Sequence, residues 1–415
     1  MLNPARIQSE DSQCQKTTKG SWKRLFSTIP FLLLLMCPVA FAAVESDIVF
    51  SLDTEEQYSD DFYRRGKKEI EVHTTLIKPR IAAKAWTGRS SFFFSYAPTF
   101  NYYHDDSSRV DASDDDFVGH ELDLAAETTF FERLGFTLTE RFQRTREPGA
   151  YDVLQQSEAS REKYKVNQIS PFLTYDFAEK FTAIVGYRNE SYDYDDSDDS
   201  REHRGYFTLR YNLDDRNSVE VEEQYWTRQY DDNPDYDSSQ IKLIFRRELS
   251  DFLKCEIGAG YHDREFESGS ANVEDFSSFI YRLAVTGESD VSRIFVSFLR
   301  NLNDVSLGTS YFDAHRLTLG LEHTFVDRIR GSVGGYFQDN DYDTWAGVTS
   351  DGTLDLREDE IWSGHLGVRY WLADWVSAGV HYEYTDRDSN IEGESYSENR
   401  IFGNVRIEYS TALRR

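Results

Sequence analysis

The chain has 415 residues, enough for two or three ordinary domains or for one large β-structure. Its formal net charge is −28 at pH 7, so it would repel a phosphate backbone, and this excludes nucleic acid as a partner. Hydrophobic residues make up only 39% of the chain, whereas Tyr (26) and Phe (29) far outnumber Met (2), which argues against a helical membrane protein and favours β-strands.

The N-terminal segment has the parts of a secretory signal peptide. Basic residues precede the apolar run Leu25 to Val39, and the small-residue site Ala40-Phe41-Ala42 follows it. Two prolines interrupt this run, which is too short for a membrane helix. We predict a signal peptide over residues 1–42 and a mature protein over 43–415. The removed segment carries five basic and two acidic groups, so the mature chain has a formal charge of −31.

Apolar and polar residues alternate in runs of about ten from about residue 90 onward, which is the length of a strand that crosses a bilayer at a tilt. In residues 253–262, for example, Leu, Cys, Ile, Ala and Tyr alternate with Lys, Glu, Gly, Gly and His. The polar faces are too consistently charged or small to pack against a second sheet. An exported chain without a membrane helix can span a second membrane only as a closed barrel.

Two classes of connection alternate along the chain. Short turns, such as Thr87-Gly88-Arg89 and Ser250-Asp251, alternate with long acidic loops, such as 193–202 and 339–358. Short periplasmic turns and long external loops are typical of outer-membrane barrels. An even strand number leaves both termini in the periplasm.

The predicted fold is therefore all-β, a transmembrane antiparallel up-and-down β-barrel of about 18 strands in the outer membrane of a Gram-negative cell. Pro79 and Pro171 fall inside two of the predicted strands, where each removes a donor from the hydrogen-bonded ladder.

No group of side chains in the sequence predicts catalysis. The nine histidines never have the spacing of metal ligands, and no nucleophile elbow, phosphate loop or paired-cysteine motif is present. His120 beside Glu121 and His381 near Glu383 are the two places where a hydrolase could carry its groups on a barrel wall. Polar wall residues are the simpler interpretation, so we expect no catalytic residue, no metal site and no enzyme.

The acidic loops resemble calcium-binding loops in composition. Residues 193–199 and 339–343 are rich in Asp but lack the Gly at the sixth and the Glu at the twelfth position of such loops. We expect no cofactor. Two interpretations stay open: a solvated surface, or weakly bound Ca²⁺ or Mg²⁺ that bridges the loops to lipopolysaccharide phosphates.

The polar member of each alternation predicts the lining of a lumen. Bases gather on the middle strands, while acids gather on the early strands and around Glu220. These charges could form opposed sectors that set a field across a pore, or they could pair between neighbouring strands and hold a narrow lumen together. The predicted lining residues are Arg141, Arg188, Arg210, Arg228, Lys242, Arg246, Arg282, Arg330, Arg369, Arg406, Glu220, Glu222, Glu256 and Glu322.

Three segments carry a resemblance to a known family: Leu52–Phe62, Lys78-Pro79-Arg80 and Phe94–Tyr103. With its short hairpin turns, most of residues 44–415 resembles the putative β-barrel porin type 2 family, outer-membrane barrels often associated with exopolysaccharide gene clusters. The resemblance implies polysaccharide export components as partners, and no catalytic residue carries over. The chain departs from many barrels by ending on Ser-Thr-Ala-Leu-Arg-Arg after Tyr409, where the barrel assembly machinery would read a terminal aromatic residue.

These observations predict a porin or export conduit for a hydrophilic solute such as an exopolysaccharide. A non-conducting surface adhesin or scaffold with acidic, ion-binding loops is the second hypothesis, and an outer-membrane hydrolase is the third. The expected surroundings are outer-membrane lipid, lipopolysaccharide and the barrel assembly machinery.

Overall fold

A computed structural model describes the chain over residues 45–64, 69–105, 112–147, 161–195, 197–231, 233–267, 275–304, 311–349 and 352–411. The predicted signal peptide, residues 1–42, lies outside the described residues. No helix within those ranges is long and apolar enough to cross a membrane.

The described residues form eighteen strands and one short 3-10 helix, Ala112–Asp115. The strands are β1 Glu45–Ser59, β2 Val72–Trp86, β3 Ser90–His104, β4 Phe117–Phe130, β5 Leu134–Thr145, β6 Tyr164–Ala178, β7 Phe181–Tyr194, β8 Ser200–Asp214, β9 Asn217–Tyr230, β10 Tyr236–Ser250, β11 Leu253–Phe266, β12 Phe276–Glu288, β13 Ser292–Asp304, β14 Tyr311–Val326, β15 Ile329–Val348, β16 Leu354–Ala373, β17 Val376–Ser389 and β18 Tyr396–Ser410.

The strands close into one barrel. Each strand pairs antiparallel with the next along the chain, and β1 also pairs with β18 from Val49 opposite Ser410 to Ser59 opposite Arg400. This confirms the predicted up-and-down barrel of 18 antiparallel strands. Because the barrel is closed, none of the described strands is an edge strand with unpaired backbone groups. A sheet surrounded by lipid must be closed in this way, since lipid offers no hydrogen-bond partners.

The connections alternate as predicted. Two- or three-residue turns join β2 to β3, β4 to β5 and each later pair at one end, and longer loops lie at the other. Both predicted long loops named above are shorter in the structure. The loop predicted at 193–202 loses residues to β7, which ends at Tyr194, and to β8, which begins at Ser200. Most of the acidic loop 339–358 is strand, because β15 continues to Val348 and β16 begins at Leu354. Their ladder resumes after a register shift between Asp341 and Ala346, so an acidic sequence here does not end the pairing.

The alternation along each strand sorts side chains between two faces. On β10, Ile241 and Leu243 are exposed, and Leu243 lies opposite Val221 and Ala259, so these positions form part of an apolar outer band. Lys242, between them, lies opposite Glu222 on the other face. The outer band meets lipid and the polar face surrounds the lumen, as in outer-membrane barrels.

Replacing Leu243 by Arg will destabilise the barrel. Leu243 is 58% exposed at the centre of a fifteen-residue strand, and an arginine at the bilayer midplane costs about 2–4 kcal/mol. Equilibrium unfolding in vesicles will show this loss, and the control Leu249→Arg, near the periplasmic turn, will lose about 0–1 kcal/mol. Equal losses at both positions would contradict the assignment of the outer band.

Candidate functional site: the inner wall and the mouth of the barrel

The ladder register places the predicted lining residues on the face opposite the apolar band. Eight line one large cavity: Arg141, Arg188, Arg228, Lys242, Arg246, Arg282, Glu222 and Glu256. Glu322, Arg330 and Arg369 line a second cavity on another part of the wall. The remaining three, Arg210, Glu220 and Arg406, lie on the same inner face. Glu220 forms ion pairs with Arg210 and Arg246, and Arg406 forms one with Glu408.

The large cavity, which we call the basic cavity, has a volume of about 650 Å³ and is lined mainly by β7 to β13. Eight inward arginine and lysine side chains line it against four inward glutamates, an excess of four positive charges. Arg300 also reaches this cavity, but it lies opposite Tyr281 on the outward face and is bound to Asp313. This excess is notable in a chain whose net charge is −28. The inner wall at this place therefore attracts anions, although the protein as a whole is acidic.

Two of the four glutamates of the basic cavity each contact two cations, and at least one of the two cations is on a neighbouring strand. Glu202 contacts Arg188 at 3.0 Å and Arg204 at 2.7 Å. Glu256 contacts Arg246 at 2.9 Å and Arg282 at 3.3 Å. Cross-strand pairing thus describes these charges better than two opposed charged sectors, the other interpretation that the sequence allowed.

Aromatic rings hold further cations of this wall in place. The Arg204 guanidinium carbon lies 3.9 Å from the centre of the Trp226 ring, and that of Arg264 lies 4.0 Å from the centre of the Tyr236 ring. A ring stacked on one face of a guanidinium fixes its plane without neutralising its charge. These stacks preorganise positive charge along the lumen.

The sequence prediction missed five charged residues of this cavity. Most of the missed residues lie near the external ends of strands, in or beside segments that the sequence predicted as long loops. The other lies just before the apolar residues from which the start of the strand was predicted. Extending each alternation by two to four residues would have found most of them. They are Arg204, Arg264, Arg300, Glu190 and Glu202.

Two connections meet across the mouth of the barrel. Glu398, an inward residue of β18 with a fully buried side chain, contacts Arg64 of the β1–β2 loop at 3.1 Å and Arg161 of the β5–β6 connection at 2.7 Å. Arg400, also on β18, contacts Glu147 of the β5–β6 connection at 3.3 Å. We call residues 60–64, 146, 147 and 161 the mouth bridge.

The strand order shows that the mouth bridge crosses one side of the opening. Four strands, β1 to β4, separate β18 from β5 around the wall, so residues 147 and 161 reach β18 over the part of the lumen beside these strands. Arg161 also donates a hydrogen bond to the carbonyl of Phe62, and its guanidinium carbon lies 4.6 Å from the centre of the Phe62 ring. The bridge therefore narrows the passage at the external end.

An apolar cluster supports this bridge from the β1–β3 side. It consists of Phe62, Ile70, Val72, Tyr103 and Ala112, which are all at most 7% exposed. Burying one side chain of the size of Phe62 contributes about 1.5–3 kcal/mol. The β1–β2 loop is thus held inward by packing as well as by charge.

The two histidines that could have supported hydrolysis do not form catalytic pairs. His120 projects outward and bonds to the Tyr96 hydroxyl at 2.9 Å, while Glu121 projects inward and bonds to Lys78 at 2.6 Å. His381 stacks on His365 with 5.5 Å between ring centres, and Glu383, on the same face, lies 3.9 Å from Arg400. The His120–Glu121 hypothesis is excluded by geometry, because adjacent strand residues point to opposite faces.

The acidic loop after β7 contains a carboxyl in an unfavourable electrostatic environment. Asp199 accepts a hydrogen bond from the backbone N–H of Tyr194 at 2.8 Å. Burial raises the pKa of Asp199, and the negative charges of Asp193, Asp231 and Asp198 raise this pKa further. Within the described ranges, no group of three or more His, Cys, Asp or Glu is arranged to hold a metal ion.

Replacing Asp199 by Asn will stabilise this loop at neutral pH. The amide oxygen of Asn keeps the acceptor for Tyr194 and removes one of the mutually repelling charges. A carboxyl with a raised pKa destabilises the fold while it is ionised, so the wild type regains this stability as the pH falls through that raised pKa. Limited proteolysis should show slower cleavage of the variant loop at pH 7.5 and no difference near pH 4; a faster cleavage at pH 7.5 would contradict the prediction.

One family model matches most of the chain. The sequence model of the family described as Putative beta-barrel porin 2 matches residues 51–409. No curated protein matches the chain. Similar solved structures include Acinetobacter baumannii OccAB4 (12% identity, 88% of this chain, 98% of that chain, TM-score 0.49), Pseudomonas aeruginosa outer membrane protein opdK (11%, 88%, 99%, 0.47) and Pseudomonas aeruginosa OccK2 (OpdF) in complex with glucuronate (11%, 88%, 98%, 0.49).

Proposed function

The chain belongs to the putative β-barrel porin 2 family of outer-membrane barrels, and on this basis we propose that it is a porin that passes hydrophilic anions. One observation carries the proposal: the excess of four positive charges among the inward residues that line the basic cavity. A wall of one sign raises the local concentration of ions of the opposite sign.

The preorganised arginines favour anions with a planar head group. An arginine presents paired donors that match a carboxylate or a phosphate. The excess of cations over glutamates gives the lumen donors beyond those used within the wall. We extend the proposal to acidic saccharides, including chains exported as exopolysaccharide, because carboxylates spaced along such a solute could move from one arginine to the next.

Reversal potentials in planar bilayers test the proposal. The refolded mature protein, in a KCl gradient, should show discrete conductance steps and a reversal potential of the sign that chloride sets. Glucuronate added on one side should lower the chloride current by competing for the arginines. A folded barrel that conducts K⁺ better than Cl⁻ would overturn anion passage, and a folded barrel without conductance would favour the surface adhesin or scaffold.

A further inference from the structure

A second cavity lies on the wall across the lumen from the basic cavity. It has a volume of about 400 Å³ and is lined by residues of β14 to β18 and of β1. In a ring of eighteen strands, β17 is seven strands from β10, which is the middle one of the strands β7 to β13 that line the basic cavity. Its volume is within the range of about 300–1,000 Å³ that is typical of small-molecule sites. We call it the glycine niche.

Two inward glycines make this depression in the wall. A Cβ atom at Gly367 would lie 2.7 Å from the Nδ1 atom of His381 and 2.7 Å from the hydroxyl of Ser332. A Cβ atom at Gly379 would lie 2.6 Å from the Oδ1 atom of Asn404. Because these positions lack side chains, His381 and Asn404 lie against the backbone of the neighbouring strand and leave open space before them.

Three rings follow one another across the wall at this level. His365, His381 and Phe402 lie on β16, β17 and β18, respectively. The centres of the His365 and His381 rings are 5.5 Å apart with an interplanar angle of 28°, and those of His381 and Phe402 are also 5.5 Å apart. His365 does not line the niche itself, and the planes of the His381 and Phe402 rings are inclined by 60°, so two rings set at an angle bound the niche.

Polar groups around the rings have no protein partner within the described ranges. Ser332, Arg369, Asn404 and Glu55 all line the niche, and none of their side chains forms a hydrogen bond or an ion pair with another described residue. In the basic cavity, by contrast, the glutamates are bound by arginines of neighbouring strands. Groups without partners on a lumen wall can bind a solute and lose no internal contact.

We infer that the glycine niche binds the ring of an uncharged saccharide. A pyranose has apolar C–H faces that pack on rings, and its hydroxyls both donate and accept hydrogen bonds, as Ser332 and Asn404 also do. Two acids, Glu55 and Glu322, balance two bases, Arg330 and Arg369, so the niche has no excess of charge that would select an ion. This inference rests on the proposed function in that it supplies a solute class for the same lumen.

Current blockade by a neutral sugar tests the niche. Maltotriose added to single channels should cause short closures, and the double variant His381→Ala/Asn404→Ala should raise the half-blocking concentration at least tenfold. Thr137→Ala, an inward residue of β5 outside both cavities, is the matched control and should keep the wild-type value. Conductance without sugar and anion preference should be unchanged in both variants.

The outcomes separate the two proposals. Anion-selective channels that maltotriose does not block, or blocks equally in the double variant, would overturn the niche and leave the porin proposal intact. If the folded protein does not conduct, titration calorimetry of maltotriose into the detergent-solubilised barrel decides the niche alone, since binding lost in the double variant supports the niche and absence of binding overturns it.

Discussion

Replacing Arg228 and Arg264 by glutamate will abolish the anion preference of the channel. Both side chains line the basic cavity and are held by tyrosine rings, Arg228 at 5.2 Å from the centre of the Tyr192 ring and Arg264 at 4.0 Å from that of Tyr236. The double substitution lowers the excess from four positive charges to none. The permeability ratio of Cl⁻ to K⁺, measured from reversal potentials, should fall from severalfold to near one.

Two control variants test whether the charge of the basic cavity causes this change in the permeability ratio. Arg228→Gln/Arg264→Gln lowers the excess only to two and should give an intermediate ratio. Lys165→Glu/Arg201→Glu changes the net charge of the protein by the same amount on the outer face, and it should leave the ratio unchanged. If the outer-face variant shifts the ratio as much as the lumen variant, surface potential rather than the basic cavity sets selectivity.

Replacing Glu398 by Gln will release the mouth bridge and raise the single-channel conductance. The carboxylate is buried and binds Arg64, Arg161 and the Ser59 hydroxyl, so its loss leaves two buried guanidinium groups without their counter-charge. Removing one partner of a buried ion pair costs about 3–5 kcal/mol. The backbone ladder between β18 and β1 does not involve this carboxylate, so the barrel should remain folded.

The matched control for this variant is Ser59→Ala. It removes one hydrogen bond of 2.7 Å to the same carboxylate and keeps both ion pairs, a loss of about 1 kcal/mol. Conductance should rise severalfold, with larger current noise, in Glu398→Gln and stay near the wild-type value in Ser59→Ala. Unchanged conductance in a folded Glu398→Gln channel would show that the mouth bridge does not narrow the passage.

The barrel could be predicted from the sequence because its two faces meet different solvents. The alternation of apolar and polar residues in β10 and β11 is repeated along the chain and predicts which residues face lipid. The short turns predict where the two strands of each hairpin are joined. Pro79 and Pro171 were the awkward positions, and both lie within strands. One of the two ladders at each proline omits pairs: β2–β3 has none between Ile77 and Ile81, and β6–β7 has none between Ile169 and Phe172. The ladder on the other side of each strand continues through the proline.

The mouth bridge could not be predicted in the same way. Its central ion pair joins Arg161 to Glu398, which are 237 positions apart, and no local pattern relates them. An acidic or basic residue in a loop has the same sequence signature whether the loop extends outward or folds into the lumen. The glycine niche is similar, since its shape arises from Gly367 and Gly379 on neighbouring strands and not from any motif within one strand.

The pairing of β1 with β18 also has a kinetic meaning. Every pair in that ladder joins residues about 340–360 positions apart, whereas each other ladder joins consecutive strands. Until the last strand is in place, β1 keeps one side of its backbone unpaired, a state that hydrocarbon penalises and that invites pairing with another chain. Loss of the final fifteen-residue strand would therefore do more than shorten the wall by one strand. It would leave the sheet with two open edges, so the barrel could not close and complete its insertion into the membrane.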